Sequence, residues 1–319
     1  MLLSSIVRQG RVFRNLCYVG DYEAASRMAE CRIHPAEVGY RREQRAYWVA
    51  ELGISLGPVH HGLLAALWQA RALKRAGVQF ANAGSDIIAQ APSFTVAVEN
   101  EEELFILREV VANGVYNLHP GAAGAVVLDI GMNVGFASLQ FAAHSQVAAV
   151  WAYEPVPATY GRALRNLDRN PDLSAKISPH NCGLSDAGGE MTFDYSPHWR
   201  GAAGVNGLTP EFRHYHRSDG VSRVTVKVRS ASEVVRELRA EHPGAELIVK
   251  MDCEGCEYRI IACLQREELL RQVHVFLIEW HKYGPAELVH ALAGAGFDVL
   301  SLTPGEETGM IYASRRAGA

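Results

Sequence analysis

From residue 126 onward the chain alternates short apolar runs rich in valine and isoleucine with stretches whose apolar residues recur every three or four positions. Such runs suit strands buried on both faces, and such spacing suits amphipathic helices laid across them. The pattern therefore predicts an α/β fold with a parallel sheet and crossover helices. Strands are expected at 126–130, 147–153, 176–182, 224–228, 246–251, 273–279, 297–302 and 309–314. Helices are expected near 134–144, 157–169, 230–241, 256–264 and 285–294. Pro157 suits the first turn of a helix, and Ser230 followed by Glu233 reads as a capping box.

The preceding residues have a different texture. Segments 21–34 and 59–76 space their apolar groups as helices do, among them Leu63, Leu64, Leu67, Trp68 and Leu73. Gly53, Gly57-Pro58 and Gly84 punctuate the run, residues 94–98 alternate as one strand, and 101–113 read as a helix ending at Asn113-Gly114. A mainly helical N-terminal region over residues 1–100 and a second domain over 101–319 are the expected division. Residues 196–222 hold four glycines and three histidines with no period; a loop this long in a compact domain is usually functional or disordered.

Composition narrows the classes. With 319 residues, 48% of them hydrophobic, the chain can bury a sizeable core without staples. Its 35 acidic and 31 basic residues give a formal charge of −4, which argues against a nucleic-acid binder needing basic surplus to neutralise phosphates. Arg41, Arg42 and Arg45, the densest basic cluster, read as a solvated helix face. No run approaches the roughly 18 apolar residues of a membrane span, and Arg8, Arg11 and Arg14 interrupt any signal-peptide core. The six cysteines are scattered, as in a protein of reduced thiols, so a cytoplasmic location without membrane contact is expected.

Four segments carry candidate chemistry. In Val126 to Phe136 an apolar strand ends near Asp129 and enters a turn containing Gly131 and Gly135 that opens a helix. Glycines there let a backbone approach a ligand closely, and the carboxylate repels a pyrophosphate but attracts a cationic amino-acid moiety such as that of S-adenosylmethionine. Glu154 closes the next strand 19 residues after Gly135, the spacing at which an acid holds ribose hydroxyls. The run Ile248 to Glu257 delivers Asp252 and Glu254, and Phe276 to His281 delivers Glu279 and His281, to what would be the ligand-binding edge of the sheet. Cys253 and Cys256 form a C-x-x-C with no second pair at zinc spacing, so they read as small buried residues and no residue is assigned to a metal.

Taken in order, Glu102 to Glu109, Gly114-Val115-Tyr116, Leu128 to Phe136, Tyr153-Glu154-Pro155, Asn181 to Asp186 and Lys250 to Gly255 resemble the FkbM-type family of S-adenosylmethionine-dependent methyltransferases. The likeness runs over about 102–281. It implies a class I, Rossmann-like fold of seven strands with one antiparallel strand near the C-terminus. It also implies donor contacts from Asp129, Gly131, Asn133, Gly135 and Glu154, with the adenine near Cys182 and Gly183. Cys253 and Cys256 depart from the aliphatic or small residues usual in the family and preserve their size.

Methyl transfer needs an aligned acceptor lone pair, exclusion of water and, where the acceptor begins protonated, a base. Asp252, Glu254, Glu279 and His281 are the candidates for the base and for gripping the acceptor. The expected acceptor is a small molecule: a hydroxyl or amine on a sugar or amino sugar of a bacterial secondary metabolite, aminoglycosides and other antibiotics included. His198, Trp199 and Arg200 in the long loop are the expected substrate contacts, and a homo-oligomer is compatible with the N-terminal segment. The alternatives are a nicotinamide-dependent oxidoreductase, disfavoured by Asp129 ahead of the turn and the lack of a compact three-glycine motif, and a non-catalytic binding protein.

Overall fold

Between Val38 and Val98 the chain forms six short strands where the sequence pattern predicts one. The computed structural model describes residues 38–41, 44–64, 66–196, 222–303 and 307–316, and its backbone divides into the units Met1–Val115 and Tyr116–Ala319. In the first unit, β1 (Val38–Arg41), β2 (Ala46–Val49) and β3 (Ile54–Leu56) pair antiparallel in that order. The basic cluster expected on a helix face thus has Arg41 at the end of a strand instead. Helix α1 (Leu67–Arg75) follows. Strands β4 (Gln79–Ala83), β5 (Asp86–Gln90) and β6 (Thr95–Val98) form a second antiparallel sheet. Runs of three to five residues are too short to show a period of two against their flanks. Their stability comes from pairing, as at the tight β4–β5 hairpin through Gly84. Helix α2 (Glu101–Leu107) is capped by Asn100, whose side chain accepts from the Glu103 amide; it widens over Arg108–Asn113 and stops at Gly114. The predicted helix at 21–34 lies outside the described residues.

The second unit is built on a seven-stranded sheet. Its strands are β7 (Ala125–Ile130), β8 (Val147–Tyr153), β9 (Ile177–His180), β13 (Leu247–Met251), β14 (Val275–His281), β15 (Phe297–Leu302) and β16 (Thr308–Arg315), in the order β15-β16-β14-β13-β7-β8-β9. Only β16 runs against its neighbours. The crossovers are α3 (Phe136–Ala143), α4 (Pro157–Asp168) with the short α5 (Pro171–Ser174), α6 (Ala231–Glu241), α7 (Glu257–Arg266) and α8 (Ala286–Gly294). Pro157 opens α4 as expected, whereas Ser230 precedes α6 without a side-chain capping bond.

Two strand expectations change. The run at 176–182 ends at His180, and Gly183–Ser185 starts a separate strand, β10. The strand expected at 224–228, seen as β12 (Ser222–Ser230), does not join the main sheet; it pairs with β10 and with β11 (Gly189–Tyr195). The sequence hides β11 because only Phe193 and Tyr195 of its seven residues are buried.

Side-chain parity decides which chemistry faces where. Val126, Leu128 and Ile130 of β7, and Leu247, Val249 and Met251 of β13, enter the core shared with α6, α7 and α8. Because successive residues point to opposite faces, Asp129 and Lys250, themselves register partners, face the other side, where α3 packs.

Candidate active site

The β7–α3 turn is as close to its neighbour as a backbone can come. Gly131 has φ +84°, and a Cβ there would lie 1.8 Å from the Asp252 carbonyl oxygen, so only glycine lets β7 and the end of β13 meet. Asn133, held at φ +50°, donates its amide to the Glu154 carboxylate at 3.0 Å, while its side-chain oxygen is buried with no hydrogen-bond partner. Beside this turn opens a cleft whose lining includes the carboxyls of Glu154, Asp252 and Glu254 and the apolar side chains of Met191 and Phe193 of β11 and Val228 of β12.

Glu154 is buried and accepts from the amides of Asn133 and Val156, at 3.0 and 2.9 Å. Burial pushes its carboxyl up to about 7 despite these bonds. Gly183 also lines the cleft, while the partly buried Cys182 beside it packs against the core cluster.

Asp129 differs more sharply from expectation. Its side chain is fully buried and does not line the cleft. Lys250 Nζ lies 3.1 Å from one oxygen, and the Ser138 hydroxyl donates to the other at 2.5 Å. The cation this carboxylate meets is the chain's own. Lys250, equally buried, also donates to the Gly131 carbonyl at 2.5 Å, tying the pair to the turn. Burial alone would lower the Lys250 pKa, but Asp129 and Asp252 outweigh it and hold the ammonium above its ordinary value.

At the ends of β13 and β14 the four expected groups do converge. His281 Nε2 is 3.6 Å from Glu254, 3.9 Å from Glu279 and 4.0 Å from Asp252. Its Nδ1 lies 3.0 Å from Glu257, a fully buried carboxylate that also accepts from the Cys253 and Gly255 amides. Burial by itself would lower the imidazole pKa; Glu254 and Glu257 reverse this and push it up to about 10. The ring thus faces four carboxylates, an arrangement that favours its protonated form. Asp252, Glu279 and His281 bring one nitrogen or oxygen atom each within 4.8 Å of one another, so the imidazole sits among the carboxylates.

Burial pushes Glu279 up to about 7, with Asp252 adding to it, and Glu254 up to about 8. Glu254 sits at φ +52°, a backbone conformation uncommon outside glycine. Tyr116 and Thr308, which the sequence reading did not single out as site residues, complete the group. The Tyr116 hydroxyl lies 3.3 Å from both Asp252 and Glu279, and Thr308 donates to Glu279 at 3.1 Å. Only their long-range pairing reveals them. Cys253 and Cys256 line the cleft as free thiols, and burial pushes Cys256 up to about 12. His198, Trp199 and Arg200 lie outside the described residues.

Six parallel strands with the reversed β16 between β14 and β15, and a cleft at the turn after β7, define a class I, Rossmann-like methyltransferase fold. The methyltransferase FkbM domain model matches residues 129–299, more than half of the sequence, and the chain belongs to that family. It is 28% identical over 226 residues to methyltransferase sdnD of Sordaria araneosa, covering 64% of this chain and 85% of that one. It is 27% identical over 202 residues to the hexuronic acid methyltransferase AglP of Haloferax volcanii, covering 62% and 73%. Among solved structures, the methyltransferase FkbM of Methylobacillus flagellatus matches with a TM-score of 0.39 at 15% identity, over 62% of this chain and 45% of that one. No helix among the described residues is long and apolar enough to cross a membrane.

Proposed function

We propose that this methyltransferase uses S-adenosylmethionine to methylate a hydroxyl of a small sugar-like acceptor, at the cleft between Glu154 and the Asp252–Glu279 cluster. The observation that carries the reading is the turn itself: a glycine that no other residue can replace, beside a buried side-chain oxygen of Asn133 that lacks a partner and a buried carboxyl. Gly131 lets the turn close against Asp252 and so shapes this end of the cleft, Asn133 offers the donor's amino-acid end an acceptor oxygen, and Glu154 takes its ribose hydroxyls. Gly183 and the apolar wall of Met191, Phe193 and Val228 take the flat purine face. Asp129 supports the turn from behind through Lys250. When bound, the donor supplies an electrophilic methyl group on a sulfonium.

The chain's own part is to hold the acceptor, exclude water and accept a proton. Glu279 and Glu254, uncharged part of the time near neutrality, are suited to taking a proton from a hydroxyl, while His281 and Lys250 keep the neighbouring carboxylates oriented. A sugar acceptor is supported by the relative AglP, whose name records a hexuronic acid. The second reading, an amino sugar of the aminoglycoside type in a bacterial secondary metabolite, is supported by the Asp252, Glu254 and Glu279 carboxyls, which favour an ammonium.

Isothermal titration with S-adenosylhomocysteine and NADH, followed by mass spectrometry of glucuronic acid and kanamycin incubated with S-adenosylmethionine, tests both levels. Micromolar binding of S-adenosylhomocysteine with none of NADH is expected, with a one-methyl mass gain on a sugar. Binding of NADH in its place would overturn the reading.

A further inference from the structure

Tyr116 stands outside the strand-end motifs, yet its hydroxyl touches both carboxylates at the centre of the cluster, Asp252 Oδ2 and Glu279 Oε2, each at 3.3 Å. One hydroxyl carries one proton and donates to one carboxylate at a time. The two carboxylates meet on that single oxygen, and like charges this close disfavour each other's ionisation. We propose that Asp252 and Glu279 form a proton-sharing dyad that serves as the base of the reaction, and that Tyr116 is the positioning residue that sets the dyad's proton affinity. This rests on the methyltransferase reading only for what the dyad deprotonates.

The surroundings agree from every packed element. Tyr116 is buried, its ring 5.2 Å from Lys250 Nζ and edge-on to Phe141 of α3, so the phenol is fixed on two sides. Lys250 faces Asp252 at 3.8 Å from β13, with Asp129 of β7 behind it. His281 faces both members from β14, Thr308 donates to Glu279 from β16, and Glu254 and Glu257 approach through His281. Burial, with the Asp252 charge adding to it, pushes Glu279 up to about 7. In the reaction the acceptor hydroxyl passes its proton to the ionised dyad, and the O–H electron pair stays on the oxygen that is methylated. A hydroxyl donating to a carboxylate favours the ionised form. Removing it makes the dyad hold its proton to higher pH.

The test is a ¹³C NMR titration of full-length protein labelled at the aspartate and glutamate carboxyl carbons, in wild type, Tyr116→Phe and Thr308→Val, with Glu279→Gln to assign the resonance. Wild type should show a carboxyl titrating near pH 7 that Glu279→Gln removes. Tyr116→Phe, which keeps the ring over Lys250, should move that titration up by about one pH unit, roughly a tenfold gain in proton affinity. Thr308→Val should move it by less, and the affinity of Tyr116→Phe for S-adenosylhomocysteine should stay within about twofold of wild type. An unchanged titration in Tyr116→Phe, or two carboxyls titrating independently at ordinary values, overturns the proposal. Because no methyl transfer is read, a protein that fails to bind S-adenosylhomocysteine but shows these shifts overturns the donor assignment and leaves the dyad standing.

Discussion

Replacing Lys250 by methionine isolates the buried pair that holds the turn. The ammonium and the Asp129 carboxylate are 2% and 0% exposed and 3.1 Å apart, and the second Asp129 oxygen has only the Ser138 hydroxyl to satisfy it. Methionine fills similar space and carries no charge, so the variant leaves Asp129 ionised and uncompensated inside the sheet. Breaking a buried pair from one side costs about 3–5 kcal/mol. Asp129→Asn alone, which leaves Lys250 with Gly131 and Asp252, should cost about 1–3 kcal/mol. In the double variant neither charge lacks its partner, so the loss should fall short of the sum by at least about 1 kcal/mol. Urea unfolding at pH 7.5 reads all three. S-adenosylhomocysteine should still bind Asp129→Asn within about threefold, because the carboxylate lies behind the turn. Additive losses within about 0.5 kcal/mol, together with abolished binding in a folded Asp129→Asn, would refute this account and return Asp129 to the ligand.

Glu154 gives a second prediction. Its carboxyl is raised by burial from 4.5 to about 7, so the unliganded protein is stabilised below pH 4.5 by this group and loses that contribution as pH rises through 7. Hydroxyl donors prefer the ionised form, so calorimetric affinity for S-adenosylhomocysteine should weaken as pH falls from 8 to 6 and lose this dependence in Glu154→Gln; a pH-independent wild type counts against the ribose assignment. Gly131→Ala should unfold several kcal/mol more easily in urea, since φ +84° and the Asp252 carbonyl both oppose a Cβ; wild-type stability would mean that β7 and β13 separate freely.

What could be read from the chain alone was whatever is local. The apolar run to Ile130, the glycines after it, Glu154 at the end of β8 and the acids after β13 and β14 each announce themselves within ten residues. Their order along the chain places them at one edge of a parallel sheet. Local reading also found the two adjacent runs of Phe297 to Arg315, while the reversal of one of them came from the family resemblance. It failed where the run was short, as in the six strands before Val98, or polar, as in β11.

Partnership was decided elsewhere. Asp129 reads the same whether it faces a ligand or the interior; the pairing of β7 with β13 places Lys250 opposite it on the α3 side. Glu257 looks like an ordinary first-turn helix acid until His281 arrives from β14, 24 residues later. Tyr116 comes from 136 residues before Asp252 to touch it. A sequence encodes residue types and their spacing, but the charge state of a buried group depends on which distant groups share its low-dielectric surroundings. Only the folded sheet sets those distances.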